Sequence, residues 1–446
     1  MDIFGMLPSL GGLIWIILAF IVALSVIVAI HEYGHYIVGR WSGIHAEVFS
    51  LGFGPRLISR VDRRGTVWQV ALLPLGGYVR FKGDADAASA NADGEAIAEM
   101  TPEERRQTMA GAPLWARTAT VAAGPVFNFI SAIIIFFAMD MVQGVVSEPL
   151  TVGRIHPMPQ QIELREGDEI LGINGVAIPE YYDGQFNGLV RDLPVQDRLD
   201  YAIRRDGTEM VVKGPFPLVA RIEGLVPQSA AADIDLKVGD VITAANGAPV
   251  NALRDVQDVV IAVQGAPVLL DVWRDGEMLK FTLAPRKVDE PDPAGGFRTK
   301  WRMGIYGGLF FEPETTTPGI GSALWMGVSN VWNIISGSFS GLWHMITGAI
   351  STCNMSGPVG IAQVSGQMAS QGAGSFLQFI GVLSVAVGML NLFPVPVLDG
   401  GHLAFYAYEA VAGRPPSETA LRILTSIGLF LVLGLMLFAL FNDLFC

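Results

Sequence analysis

Charge is what this chain has least of. Asp, Glu, Lys and Arg make up only 16% of its 446 residues, where a soluble chain carries about 25%. Cysteine is nearly absent. Cys353 and Cys446 cannot build a disulfide framework or a cysteine-type zinc site, so any metal must be held by His, Asp or Glu. Positive charge is scarce as well: 29 Lys and Arg face 42 Asp and Glu, for a net charge of -13. That balance excludes nucleic acid as a partner, because phosphate binding needs clustered basic side chains. What the chain has in excess is apolar surface, with 51% hydrophobic residues. This composition belongs in a lipid bilayer.

Crossing the hydrocarbon takes about 20 apolar residues. No charged residue lies between Asp2 and His31. The basic lead-in and small-residue cleavage site of a secretory leader are missing there, which predicts a retained helix. A second span fits between Arg117 and Asp140, and a fourth between Arg422 and Asp443. From Glu314 to Asp399 the only ionisable side chains are His344 and Cys353, and the stretch is too long for one helix. Leu324, Val328, Val331, Ile335, Phe339, Leu342 and Ile346 recur at helical spacing, accompanied by Trp325, Trp332 and Trp343. Such a helix is expected to lie along the membrane surface. The third span is then expected from Phe376 to about Val395.

Lys and Arg near span ends mark the cytoplasmic side. Arg40, Arg117, Arg414 and Arg422 share one side, and Asp2, Asp140 and Asp443 the other. Both termini and the 141–320 region are therefore expected outside, where 17 Lys/Arg meet 26 Asp/Glu between 141 and 314.

The chemistry is concentrated in His31-Glu32-Tyr33-Gly34-His35. On a helix, residues four apart share a face, so two imidazoles can hold one zinc ion, with Glu32 between them as general base for the attacking water. A catalytic zinc wants a third protein ligand. His45, His156 and His344 have no partner motif; Asp399, in Asn391-Leu-Phe-Pro-Val-Pro-Val-Leu-Asp399-Gly-Gly-His402, is the better candidate. It follows span three on the same cytoplasmic side as the end of span one. Prolines that break the helix and glycines that allow a tight turn suit an aimed carboxylate.

His-Glu-x-x-His on the first span with Asn-x-x-Pro-x-Pro-x-Leu-Asp-Gly near the third resembles the site-2 protease family of intramembrane zinc metalloproteases. The resemblance covers nearly the whole chain. It implies His31, His35 and Asp399 as zinc ligands, Glu32 as catalytic base, and Asn391 as a substrate-binding residue. It further implies single-pass membrane substrates, anti-sigma factors among them and remnant signal peptides besides, in a bacterial inner membrane. A non-catalytic membrane scaffold or chaperone is the alternative reading.

Val67 to Phe81 reads as strands around a Pro-Leu-Gly-Gly turn, preceded by the glycine-rich Leu51–Pro55. In the family this corresponds to a membrane-entering β-hairpin, whose edge could pair with an unwound substrate. Gly124, Pro125 and Asn128 are expected to kink span two and line the cavity, or to serve ordinary small-residue packing. Thr101-Pro102-Glu103-Glu104 opens a short helix. The outer region repeats: Gly167-Asp168 through Asn174-Gly175 recurs 72 residues later as Gly239-Asp240 through Asn246-Gly247. Arg205-Asp206-Gly207 is echoed by Arg274-Asp275-Gly276. These two β units resemble tandem PDZ domains, which bind extended peptides at a sheet edge or serve as a steric screen.

The expected class is an α+β membrane protein with four transmembrane helices, a membrane-associated β-hairpin and two periplasmic PDZ-like domains. Its order is span one with the zinc motif (1–36), a cytoplasmic hairpin region (37–117) and span two (118–140). PDZ-like domains follow at 141–220 and 221–290, then a linker with the interfacial helix (291–371). Span three with the third ligand (372–400) precedes a cytoplasmic turn and span four (401–446).

Overall fold

The structure is a computed structural model, and it describes residues 10–84, 99–179, 185–292 and 296–445. In chain order the helices are α1 (Leu10–Trp41), α2 (Pro102–Arg106), α3 (Leu114–Gln143), α4 (Gln185–Asp192) and α5 (Leu253–Ala262). They continue with α6 (Ile320–Ile346), α7 (Pro358–Ser370), α8 (Ala373–Asn391), α9 (Asp399–Ala412) and α10 (Glu418–Phe445). The chain divides into two compact units. One comprises 1–138, 324–343 and 352–446; the other comprises 139–323 and 344–351.

Four helices of the first unit, α1, α3, α8 and α10, are long and apolar enough to cross a membrane. Their packing follows from small residues. On α1, Ala19, Ala23, Ile27 and His31 recur every fourth position and are buried, while Ile14, Leu18, Val22 and Val26 face outward. That stripe lets neighbouring backbones approach, the usual basis of helix association in lipid. The imidazole of His31 lies at the end of the packed stripe rather than the lipid face. On α6, Val331 is buried against Ala132 and Phe136 of α3, while Trp325, Trp332 and Trp343 stay exposed.

Two strands follow α1: β1 (Ala46–Val61) and β2 (Val67–Phe81). The Pro-Leu-Gly-Gly segment, expected as a turn between strands, lies within β2. The sheet curls on itself instead. Phe49 faces Val79 on one side and Trp68 on the other, and Arg60 faces Trp68 from beyond. Segments 77–81, 46–51, 67–70 and 58–61 thus lie side by side. Gly52 and Gly54 make the bend, at φ of 88° and 87°, values that only glycine adopts without strain. The sheet is tied to α1 through Asp62, which accepts from the Tyr36 hydroxyl (3.3 Å) and the Trp68 indole (3.2 Å). Burial pushes that carboxyl up, but hydrogen bonds from Arg64, Trp68, Thr66 and Tyr36 outweigh it and hold it below the usual carboxylate range. The short helix α2 starts as expected. Thr101 and Glu104 form a capping box, with Pro102 in the first turn.

The second unit is built of short antiparallel strands. They are β3 (Val145–Val146), β4 (Val152–Ile155), β5 (Glu169–Ile173), β6 (Val176–Ala177), β7 (Leu199–Arg205), β8 (Thr208–Gly214) and β9 (Leu218–Leu225). Then come β10 (Val241–Ala245), β11 (Ala248–Pro249), β12 (Val268–Arg274), β13 (Glu277–Leu283) and β14 (Arg286–Pro291). The last are β15 (Phe297–Arg302), β16 (Ile305–Leu309), β17 (Phe311–Pro313) and β18 (Thr315–Thr316). The sequence repeat is a structural repeat. β6-β5-β7-β8 form one sheet, and β11, β10, β12 and β13 pair in the same order in another. Asp168 accepts from Arg205 Nε at 2.7 Å and from the Arg165 amide at 2.7 Å. Asp240 accepts from Arg274 Nε at 2.6 Å and from the Lys237 amide at 2.9 Å. Both aspartates are buried, and each is paired bidentately with its arginine. Asn174 and Asn246 likewise accept matching amides, of Asp200 and Leu269, each at 2.9 Å.

The region expected as linker with the interfacial helix (291–371) carries strands between Phe297 and Thr316: β16 pairs with β9, and β17 with β4. Their short length and scattered apolar residues hide the period-two signal. Each half keeps its own core, around Tyr201 and Phe310 in one and around Ile222, Ile242 and Leu270 in the other.

Candidate metal centre

α1 presents His31 and His35 one turn apart, with their Nε2 atoms 3.2 Å from each other. The third group arrives from the far end of the sequence. α8 stops at Asn391, the prolines at 394 and 396 prevent its continuation, and the chain folds through tight turns such as Leu398 N–H to the Val395 carbonyl (2.9 Å). Asp399 then opens α9 rather than ending span three. Its Oδ2 lies 3.2 Å from His31 Nε2 and 3.5 Å from His35 Nε2.

These three atoms test whether a metal fits. Ligands on a tetrahedral zinc at about 2.0–2.1 Å are roughly 3.3–3.4 Å apart, and the three atoms have that spacing. His31, His35 and Asp399 are the group among the described residues whose donor atoms converge within 4.8 Å. Asp399 Oδ2 is buried and has no hydrogen-bond partner, a cost that an ion would remove. Two imidazoles and a carboxylate are also a normal donor set for catalytic zinc.

The outer partners fix the rings. His35 Nδ1 lies 2.9 Å from the Thr120 carbonyl, so Nδ1 carries the hydrogen and Nε2 is left with its lone pair. His31 Nδ1 lies 3.2 Å from the Asn128 amide, whose Oδ1 is otherwise unpartnered and buried. With the amide turned so that Oδ1 accepts from Nδ1–H, His31 also offers Nε2. Thr120 and Asn128 both stand on α3, which closes directly over the histidines at Gly124. A Cβ there would sit 2.4 Å from His35 Nε2. Gly124 and Asn128 pack directly against the two imidazoles, and neither they nor Pro125 are among the residues that line the cavity beside Glu32.

Glu32 borders a cavity of about 250 Å3 together with His31, His35, Asp399 and Asn391. Its carboxylate accepts a hydrogen bond from the Val79 amide, which connects it to the 77–81 edge of the curled sheet. Gly77, Tyr78 and Phe81 line the same cavity. His45 and His156 do not line this cavity, and His344 belongs to the other unit. Met109, Thr120, Val121, His402 and Tyr406 also line the cavity and escaped sequence reasoning. His402 was visible in the motif, three residues past Asp399, but only the helical start of α9 shows that it faces the cavity.

Two imidazoles and a carboxylate buried among spanning helices, beside a glutamate and a small open cavity, define the class of membrane-embedded metallohydrolases. Comparison with known proteins agrees. The model of peptidase family M50 matches residues 19–435. A protein of Agrobacterium fabrum described as a zinc metalloprotease is 38% identical over 98% of this chain and 97% of its own length. The regulator of sigma-E protease RseP of Salmonella typhimurium is 33% identical over 97% of this chain and 99% of its own. Protease RseP of Yersinia pestis shows the same identity and coverage. The chain belongs to peptidase family M50, the site-2 proteases. It is a zinc metalloprotease of the kind that works in regulated intramembrane proteolysis on membrane-protein substrates.

Proposed function

We propose that His31, His35 and Asp399 hold the zinc ion, that Glu32 is the general base, and that Asn391 binds the substrate backbone. The reaction is endoproteolysis within the transmembrane segment of single-pass proteins. One observation carries the assignment: Oδ2 of Asp399, buried without a partner, lies 3.2 and 3.5 Å from the two Nε2 atoms.

When bound, zinc supplies Lewis acidity at the scissile carbonyl and to water. Glu32 takes the proton from the attacking water and delivers it to the leaving nitrogen as the peptide C–N bond breaks, leaving a carboxylate and an amine. Thr120 and Asn128 hold the rings in the tautomer that keeps Nε2 free. A helical substrate hides its peptide bonds in its own hydrogen bonds. An unwound segment could add to the 77–81 edge, which borders the cavity beside Glu32.

The setting is the bacterial inner membrane, with both termini and the 141–320 region in the periplasm and the active site toward the cytoplasm. Arginines at 40, 117, 414 and 422 support this sidedness. The two β units act as tandem PDZ-like domains, and the relatives named for sigma-E regulation support an anti-sigma factor as substrate. If the PDZ-like pair is a size filter, a span with a short outer tail is cut faster than the same span carrying a folded outer domain; equal rates remove the filter.

The deciding experiment measures zinc content and cleavage of a panel of single-span substrates. Glu32→Gln should keep zinc and cut nothing, while Asp399→Asn should lose zinc. A Glu32→Gln protein that cleaves at the normal rate overturns the mechanism.

A further inference from the structure

A second cavity, of about 1110 Å3, lies between α1, α3, the start of α8 and the curled sheet, and it shares no lining residue with the cavity beside Glu32. Its walls are aliphatic and aromatic: Val22, Val26 and Ile30 on α1, Ile130 and Ile134 on α3, Phe376 on α8. The only charged lining residue is Arg60. Two other polar members are already engaged. Gln69 Nε2 donates to Ser50 Oγ at 3.0 Å, and Ser131 Oγ donates to the Asn128 carbonyl at 2.9 Å.

Arg60 is different. Among the described residues it makes no ion pair or side-chain hydrogen bond, and neither do the guanidinium groups of Arg56, Arg63 and Arg64 beside it in sequence. The acid within this run, Asp62, is already occupied by four donors. Around these cations stand Leu57, Ile58 and Val61, which are 60%, 72% and 61% exposed. In a chain carrying a net charge of -13, one unpaired arginine on the wall of an apolar hollow, with three more unpaired arginines within four residues of it in sequence, makes a local site for an anion. A ligand that satisfies both features must have a long apolar body and an anionic head. A spanning peptide helix would fill the hollow but bring no anion to Arg60.

We propose that this cavity seats an anionic phospholipid, its acyl chains against α1, α3 and α8 and its phosphate on Arg60. Arg56, Arg63 and Arg64 supply the surrounding positive field that selects a net-negative headgroup over a zwitterionic one. The inference is independent of the assignments at the metal centre, since none of these residues touches it.

The test uses the full-length zinc-loaded protein in nanodiscs of equal parts phosphatidylglycerol and phosphatidylcholine. Retained lipids are counted by native mass spectrometry after extraction. The normal protein should keep phosphatidylglycerol preferentially. Arg60→Gln should lower that preference about fivefold, the equivalent of about 1 kcal/mol for one arginine at an anionic surface, and Arg60→Lys should retain most of it. Val26→Trp, which fills the hollow, should lose the lipid altogether. Equal lipid ratios for the normal and Arg60→Gln proteins, at equal zinc content, overturn the proposal. So does displacement of the lipid by a single-span substrate that crosslinks to a photoprobe at position 130, which would reassign the cavity to the peptide.

Discussion

Arg117, in the first turn of α3, grips Glu409 on α9 with both guanidinium nitrogens, Nη2 to Oε1 at 2.6 Å and Nη1 to Oε2 at 3.0 Å. Its charge also lies 5.2 Å from the centre of the Tyr406 ring. Both charged groups are largely shielded, at 16% and 17% exposure. α9 begins with Asp399, so this pair joins the helix that carries the third candidate ligand to the helix that supports both imidazoles. Removing one partner of such a pair strands the other, at a cost of about 3 kcal/mol. Arg117→Ala should lower the melting temperature and weaken zinc retention. Arg117→Met combined with Glu409→Leu should be milder than either single change to alanine, as chelator competition and melting curves on the same samples will show.

Asn128 offers a cleaner probe of ring orientation. Asn128→Leu removes the acceptor for His31 Nδ1 while keeping the volume. Loss of such an outer partner typically costs 10–100-fold in metal affinity, and we expect a drop of roughly that size. Asn128→Asp, which keeps an acceptor, should lose less. If both variants bind zinc as the normal protein does, the amide has no orienting role.

Gly124 makes a steric prediction. A methyl group 2.4 Å from His35 Nε2 must push α3 away or rotate the ring, so Gly124→Ala should reduce both zinc content and turnover. Gly188→Ala, on an open face of α4 with nothing within 4 Å, should change neither.

The second unit should be sensitive to acid through His156. Burial lowers the pKa of this imidazole, and the Arg221 guanidinium lowers it further, with Arg154 adding to that. Together they outweigh the opposing pull of Glu223 and Glu312. The folded state therefore holds His156 neutral, and the unfolded state takes up a proton first as pH falls through about 6.5. Stability from this group is complete above that pH and declines below it, down to the folded-state pKa. Hydrogen exchange in the full-length protein should show strands β4 and β9 loosening between pH 7.5 and 5. His156→Gln should flatten that dependence, and an unchanged pH profile in the variant would assign it elsewhere.

Much of the architecture was legible because each element announces itself locally. Long uncharged runs marked α1, α3, α8 and α10, since hydrocarbon tolerates little else. The His-Glu-x-x-His spacing placed two imidazoles on one face because the helix period does so wherever it occurs. The outer repeat was visible in Gly-Asp and Asn-Gly pairs. Its reason appeared only in space, where Asp168 and Asp240 each clamp a distant arginine under a hairpin turn. Other features had no local signature. Strands β16, β17 and β18 pair with strands far back in sequence. The curl that places 77–81 beside Glu32 depends on bends within strands rather than on a turn between them.

The order of residues by itself determined that this protein lives in a membrane, that its chemistry needs His, Asp or Glu donors, and which histidines stand together. Helix periodicity and the cost of burying charge in lipid are properties of short segments, so a sequence states them directly. Only the tertiary structure decided the rest. Asp399 opens a new helix and meets the imidazoles at 3.2 and 3.5 Å, Asn128 and Thr120 orient those rings, and Arg117 holds the third group in place. Those relations join residues up to several hundred positions apart, and they exist only once small side chains have let the helices close to contact distance.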